Sequence, residues 1–152
     1  MAKFAIKHKH EIGLPPDELI FHGEKKMKET RKRIITFGSG KLNEVEIDDI
    51  AMLKQLVNQQ GTINWINIDG IDNEKELIEL GEIFGIDQTI LSDVMNTQQR
   101  ANIQEYEDTI FINLKMLQFD QDEKIVISEQ LSIIVQDSLV ITFQENSGDV
   151  FE

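Results

Sequence analysis

The sequence of 152 residues predicts an α/β fold: a mixed, partly antiparallel β-sheet with helices packed on its faces, ending in a β-meander. Three observations carry that expectation. Apolar residues recur at helical spacing in several stretches between positions 48 and 95, they alternate with period two from Ile103 onward, and glycines or charged turns mark each change of period. Strands and helices that alternate first and a run of strands last are the order expected of a mixed sheet with helices against it.

Taken in order, residues 1–30 mix charges with little periodicity and hold both prolines, in GLPPDELIFHG. They predict an N-terminal arm, partly extended or disordered, with one extended piece near Leu19 to Phe21. Residues 31–152 are expected to form one domain. RIITF (33–37) and KLNEVEI (41–47) flank Gly38-Ser39-Gly40, the chemistry of a hairpin turn, so they should pair antiparallel. Asp48-Asp49 would cap a helix on which Ile50, Leu53 and Val57 recur, stopped by Gly61. TINWINIDG (62–70) reads as a strand. A second helix after Asp72 carries Leu77, Leu80 and Phe84 on one stripe and ends at Gly85, and a third opens at Asp87. In TIFINLKMLQF (109–119), Ile110, Ile112, Leu114 and Met116 share one face while Phe111, Leu117 and Phe119 lie on the other, which predicts cover on both sides. KIVISEQLSIIV (124–135) and LVITF (139–143) complete the meander.

Composition narrows the function classes. The chain has no cysteine, which excludes disulfides, thiolate catalysis, zinc–thiolate sites and iron–sulfur clusters. Its start, MAKFAIKHKHE, lacks the apolar run of a secretory signal, so a soluble piece in a cytosol is expected. The net charge of −13 is uneven: residues 1–33 carry nine Lys and Arg against five Asp and Glu, while residues 34–152 carry six against twenty-three. Such a body repels nucleic acid and anionic lipid, which need a cationic footprint, and suits cations or basic partners. An acidic surface also keeps a protein soluble without binding anything.

Few side chains suggest chemistry on their own. His8, His10 and His22 could hold a transition metal only loosely, and all three lie in the expected arm, far from any serine and acid that would make a nucleophilic triad. Phe37 to Lys41 lacks the spacing of a phosphate loop and sits between strands. Glu105, Glu107 and Asp108 offer a carboxylate pair for acid–base work, with Glu105 and Glu107 on one strand face, although a solvated edge explains them equally well. Arg100, the one base between Glu76 and Leu114 among eight acids, is expected to tie its loop to that acidic strand. IDQTILSDVMNTQQR (86–100) holds the remaining candidate: Ile90, Leu91, Val94 and Met95 form one apolar arc, and Asp93 falls about 130° from its centre at helical spacing. Asp93 should point outward, with no basic residue within six positions on either side.

An ordered series of short motifs gives the chain a relationship. Trp65-Ile66-Asn67 is followed by a helix ending Phe84-Gly85, a short acidic helix ending Asn96-Thr97-Gln98-Gln99-Arg100, then Glu105-Tyr106 and Leu114-Lys115-Met116. Ser128-Glu129-Gln130, Thr142-Phe143-Gln144-Glu145 and Gly148-Asp149-Val150-Phe151 close the series, and Gly13-Leu14-Pro15-Pro16 fits its start. This order strongly resembles the N-terminal cytoplasmic domain of the CorA family of divalent-cation transporters, closely over about residues 60–152 and loosely before them.

The resemblance implies a chain that stops before the family's stalk helix and two membrane helices, so this piece would be soluble and touch a membrane only through the missing C-terminal part. It implies no enzyme but a regulatory domain of a homopentameric Mg²⁺ and Co²⁺ channel-transporter, on the cytoplasmic face of the cell membrane. In that family Mg²⁺ bound between neighbouring protomers holds the pore shut. The two adjacent acids of the family's regulatory helix fall on Ser92 and Asp93, and its common loop histidine falls on Gln98. Asp93 is thus the expected metal residue, shared with a neighbour's stalk, and Ser92 and Gln98 stand at degenerate second-site positions. Two alternatives accompany this reading: a domain of a zinc-transporting relative in the same superfamily, and a free-standing metal-dependent hydrolase with paired carboxylates.

Overall fold

A computed structural model describes residues 19–38, 40–57 and 61–148. Seven strands form one sheet: β1 (Arg31–Gly38), β2 (Lys41–Glu46), β3 (Ile63–Asp69), β4 (Asn102–Glu105), β5 (Ile110–Asp120), β6 (Ile125–Gln136) and β7 (Leu139–Gln144). Their spatial order is β2, β1, β3, β7, β6, β5, β4. Every pairing is antiparallel except β3 with β7, which runs parallel from Asn64 opposite Leu139 to Asp69 opposite Gln144. This parallel contact joins the hairpin half of the chain to the meander half, and the two longer helices lie in the connection between them, whereas a short helical segment connects β2 to β3.

Local chemistry sets the element ends. The β1–β2 hairpin pairs Gly38 with Lys41, and Gly40 takes φ 74°, a left-handed conformation that glycine adopts without penalty. The region after Asp48 begins as a 3-10 turn, Ile50–Met52, with Asp49 accepting from the Ala51 amide at 3.0 Å, and continues as α1 (Leu53–Leu56). The helix α2 (Glu74–Phe84) starts at Asn73, whose side chain accepts from the Glu76 amide, and stops at Gly85, where φ is 65°. Asp87 caps α3 (Gln88–Met95) by accepting from the Thr89 amide at 2.8 Å. Thr89 also donates its hydroxyl to Asp87, and these two bonds hold the Asp87 carboxyl below its ordinary value.

The helices collect on one face of the sheet. Ile34, Ile66, Ile68, Phe111, Ile134, Ile141 and Phe143 from the strands join Ile50, Leu53, Leu77, Leu80, Ile90, Leu91, Val94 and Met95 from the helical connections in one apolar core. Burying each of these side chains is worth about 1.5–3 kcal/mol. Gly81 lets α2 and α3 approach, since a Cβ there would lie 2.6 Å from Leu91 Cδ1. On the opposite face the register places Phe37, Leu42, Ile63, Ile103, Ile110 and Leu114, all exposed.

One local expectation changes. β5 lacks the expected cover on one face, where Ile110 and Leu114 are exposed, and at its edges β4 pairs only with Ile110 to Asn113 while β7 pairs with β6 only at Leu131 to Gln136. The far ends of β5 and β6 therefore project as a two-stranded ribbon, on which Leu117 and Phe119 are 65% and 59% exposed. The segment ahead of β1 touches the body where it is described. Leu19 is buried in the core, Lys25 pairs with Asp72, Lys26 pairs with Glu145 at 2.7 Å, and His22 bridges Asn96. His8 and His10 lie outside the described residues.

Candidate cation site

The end of α3 faces the edge of the sheet formed by β4 and β5. A helix of this length leaves its last carbonyls without partners of their own and accumulates partial negative charge there. Those carbonyls are met from three sides. The His22 amide donates to the Met95 carbonyl at 2.9 Å, and the Gln130 side chain donates to the carbonyls of Asp93 and Val94, both at 3.3 Å. Lys115 donates to the Thr97 carbonyl at 2.7 Å and to Gln130 Oε1 at 3.1 Å.

Gln130 is 1% exposed, and its own backbone amide donates to Glu145 Oε1 at 2.9 Å. Glu145, also buried, takes Lys26 on its other oxygen. Burial depresses the Lys115 pKa, with Glu145 opposing that shift and Lys26 adding to it. Thus the loop after α3 is fastened to β5 and β6 by a buried polar cluster that sequence reading overlooked. Its signal was present: Asn113 and Lys115 interrupt the otherwise apolar face that Phe111 and Leu117 begin and continue.

Asp93 stands beside this fastening in the last turn of α3. It does not point freely outward. It is half-buried, Oδ1 accepts from the Gln99 side-chain amide, and Oδ2 accepts from Gln104 Nε2 at 3.1 Å. No Lys or Arg pairs with it among the described residues. A carboxylate at the negative end of a helix, with neutral donors alone, sits where a cation is electrostatically favoured.

The other named positions fare differently. Ser92 and Gln98 are exposed, and no hydrogen bond joins either side chain to Asp93. The glutamines that reach Asp93 are Gln99, placed by a turn in which its amide donates to the Asn96 carbonyl at 3.2 Å, and Gln104, on the helix-facing side of β4. Arg100 is exposed and pairs with no acid among the described residues, contrary to the tie expected of it; Lys115 does that work instead. Glu105 is the last residue of β4, and Glu107 and Asp108 follow in a bend, so the three exposed acids share no strand face and form no organised pair.

A second cleft, at the start of α2, mixes Lys25, Lys28, Arg31 and Lys32 with Glu46, Asp72 and Glu76. Its charges are largely matched internally, by Lys32 with Glu76 at 2.9 Å, Arg31 with Glu46 at 2.8 Å, and Lys25 with Asp72. Among the described residues no three His, Asp or Glu side chains converge as a self-contained metal site requires. A cation at Asp93 would take one anionic ligand from the described residues and keep most of its water, and would not sit in a closed cage.

Among the described residues no helix is long and apolar enough to cross a membrane. In fold, the chain is similar to the complete CorA magnesium transporter from Methanocaldococcus jannaschii, with TM-score 0.53 and 23% identity over 73% of this chain and 31% of that one. It is also similar to the full-length CmaX protein, with TM-score 0.54 and 13% identity over 75% of this chain and 34% of the other. In sequence it is 33% identical over 140 residues to the cobalt/magnesium transport protein CorA of Thermotoga maritima, a match that takes in 92% of this chain and 39% of the relative's length. The model of the CorA-like Mg²⁺ transporter protein family, a family of transporters rather than enzymes, matches residues 60–151, which include α3, Asp93 and the whole meander, and the chain belongs to that family.

Proposed function

We propose that this chain is the cytoplasmic regulatory domain of a CorA-type Mg²⁺ and Co²⁺ channel-transporter, sensing intracellular Mg²⁺ at protomer interfaces and thereby gating the pore. The observation that carries the reading is Asp93: a carboxylate in the last turn of α3, inside the segment the family matches, met by amides and, among the described residues, by no cationic side chain. The open face of the sheet supports it as well: an antiparallel sheet can leave one face to water, but that face is then normally polar, and exposed apolar residues such as Leu42, Ile63 and Ile103 suit a surface that meets a partner. The working assembly is a homopentamer at the inner face of the cell membrane, with the other protomers as partners.

The energetics follow from charge. Two carboxylates brought to about 4 Å across an interface repel by on the order of 4 kcal/mol at an effective dielectric of 20, before screening. Repeated around a ring, that repulsion separates neighbours. A divalent ion between Asp93 and a neighbour's carboxylate reverses the sign, binds the closed arrangement preferentially and shifts the population toward it. Mg²⁺ sheds water reluctantly, so a site with one or two carboxylates is weak, which suits a sensor of millimolar concentrations.

Calorimetric titration of the 152-residue chain with MgCl₂ tests the shared site. Feeble binding is expected, because the chain supplies one carboxylate of the pair. Tight stoichiometric binding by the chain alone would contradict a site divided between protomers.

A further inference from the structure

We infer that Gln99 and Gln104 form an amide latch that occupies Asp93 when no cation is bound, and that their release sets the concentration at which the site responds; this rests on the cation-sensing reading of Asp93. An ionised carboxylate only accepts hydrogen bonds, so each glutamine must turn its NH₂ group toward Asp93 and its carbonyl away. Both outward carbonyls are met. Gln99 Oε1 accepts from Asn102 Nδ2 at 3.2 Å, and Gln104 Oε1 accepts from the Tyr106 hydroxyl at 2.7 Å. The result is a relay in two arms, Asn102 to Gln99 to Asp93 and Tyr106 to Gln104 to Asp93, in which each outer donor polarises the amide it touches and strengthens the inner bond.

The latch and a metal ion compete for one carboxylate. Each Asp93 oxygen has two lone pairs and the latch takes one on each, while the positive ends of the two NH₂ groups oppose a cation placed beside them. An amide that turns away as the ion arrives frees a lone pair and removes that opposition. The structure also contains spare partners for the rearranged Gln99 arm. The register sets Asn102 directly opposite Asn113, and Asn102 Oδ1 together with both side-chain polar atoms of Asn113 are buried without a hydrogen-bond partner among the described residues. An arm whose resting state leaves three amide atoms unsatisfied loses less on rearranging than a fully bonded one would. The Gln104 arm is anchored on β4, a four-residue edge strand, so its release propagates to Tyr106 just beyond the strand.

The test uses the 152-residue chain, its Gln104→Leu, Gln99→Leu and Asp93→Asn variants, and nuclear magnetic resonance spectra during titration with MgCl₂. Without metal, the side-chain NH₂ signals of Gln99 and Gln104 should move in Asp93→Asn, and saturating Mg²⁺ should move the same signals in the unsubstituted chain. Each leucine variant should bind Mg²⁺ about fivefold more tightly, the effect of removing one net hydrogen bond that competes with the ion. Unchanged or weaker binding in both leucine variants, with binding that still depends on Asp93, overturns the latch and leaves the sensor standing. Identical titrations of the unsubstituted chain and Asp93→Asn overturn both. Backbone spectra that keep their dispersion establish that each variant is folded.

Discussion

Gln130→Leu removes the side chain that ties the end of α3 to the sheet while nearly preserving its volume. In the native chain its amide meets two helix-end carbonyls at 3.3 Å, and its oxygen accepts from Lys115 at 3.1 Å. The long bonds to the carbonyls are weak, whereas the charge-assisted bond to Lys115 is worth about 1.5–3 kcal/mol and the abandoned groups add their own desolvation cost. A loss of about 3 kcal/mol is expected, or about 6–12 °C in melting temperature for a domain of this size. Urea denaturation followed by circular dichroism measures it. Combining the change with Lys115→Met removes the ammonium that has lost one of its two acceptors, so the double variant should be more stable than the two single losses predict by about 1–2 kcal/mol. A single-variant loss under about 1 kcal/mol, or strict additivity in the double, would refute the fastening role of the cluster.

Asp87→Ala should lower the melting temperature at neutral pH. Because the folded-state pKa of Asp87 lies below its ordinary 3.8, its contribution is complete above that value and disappears as pH falls through the lowered one. The gap between native and variant melting temperatures should therefore close in acid, and a gap that stays constant from pH 7 to about pH 2 would count against the cap. Gly85→Ala forces a side chain into φ 65° at the end of α2 and should cost about 1–2 kcal/mol in the same denaturation experiment, while no loss would mean the helix end rearranges.

How much of this was legible depended on distance along the chain. The caps at Asp49 and Asp87, the stop at Gly85 and the hairpin at Gly40 depend on neighbours within a few residues, so the residue types alone announced them. The buried arc Ile90, Leu91, Val94 and Met95 followed from helical period in the same way. The parallel pairing of β3 with β7 joins residues 75 positions apart, and nothing local encodes it. The same reason hid the surroundings of Asp93. Its placement on the helix could be read from the period, but Gln99 reaches it through a turn and Gln104 from the sheet edge. Arg100 looked like the loop's anchor because it was the only nearby base in sequence. Lys115, fifteen residues further on, holds the loop because the strand register carries it under Thr97.

The proposed sensing role of Asp93 is tested most directly by ion flux through membranes carrying the full-length protein, measured against cytosolic Mg²⁺. On that proposal, Asp93→Ala should make closure require markedly more Mg²⁺ or fail, because the ion would lose the carboxylate this protomer contributes. Inhibition at the same Mg²⁺ concentration as the unsubstituted protein would contradict the assignment of the sensor to Asp93.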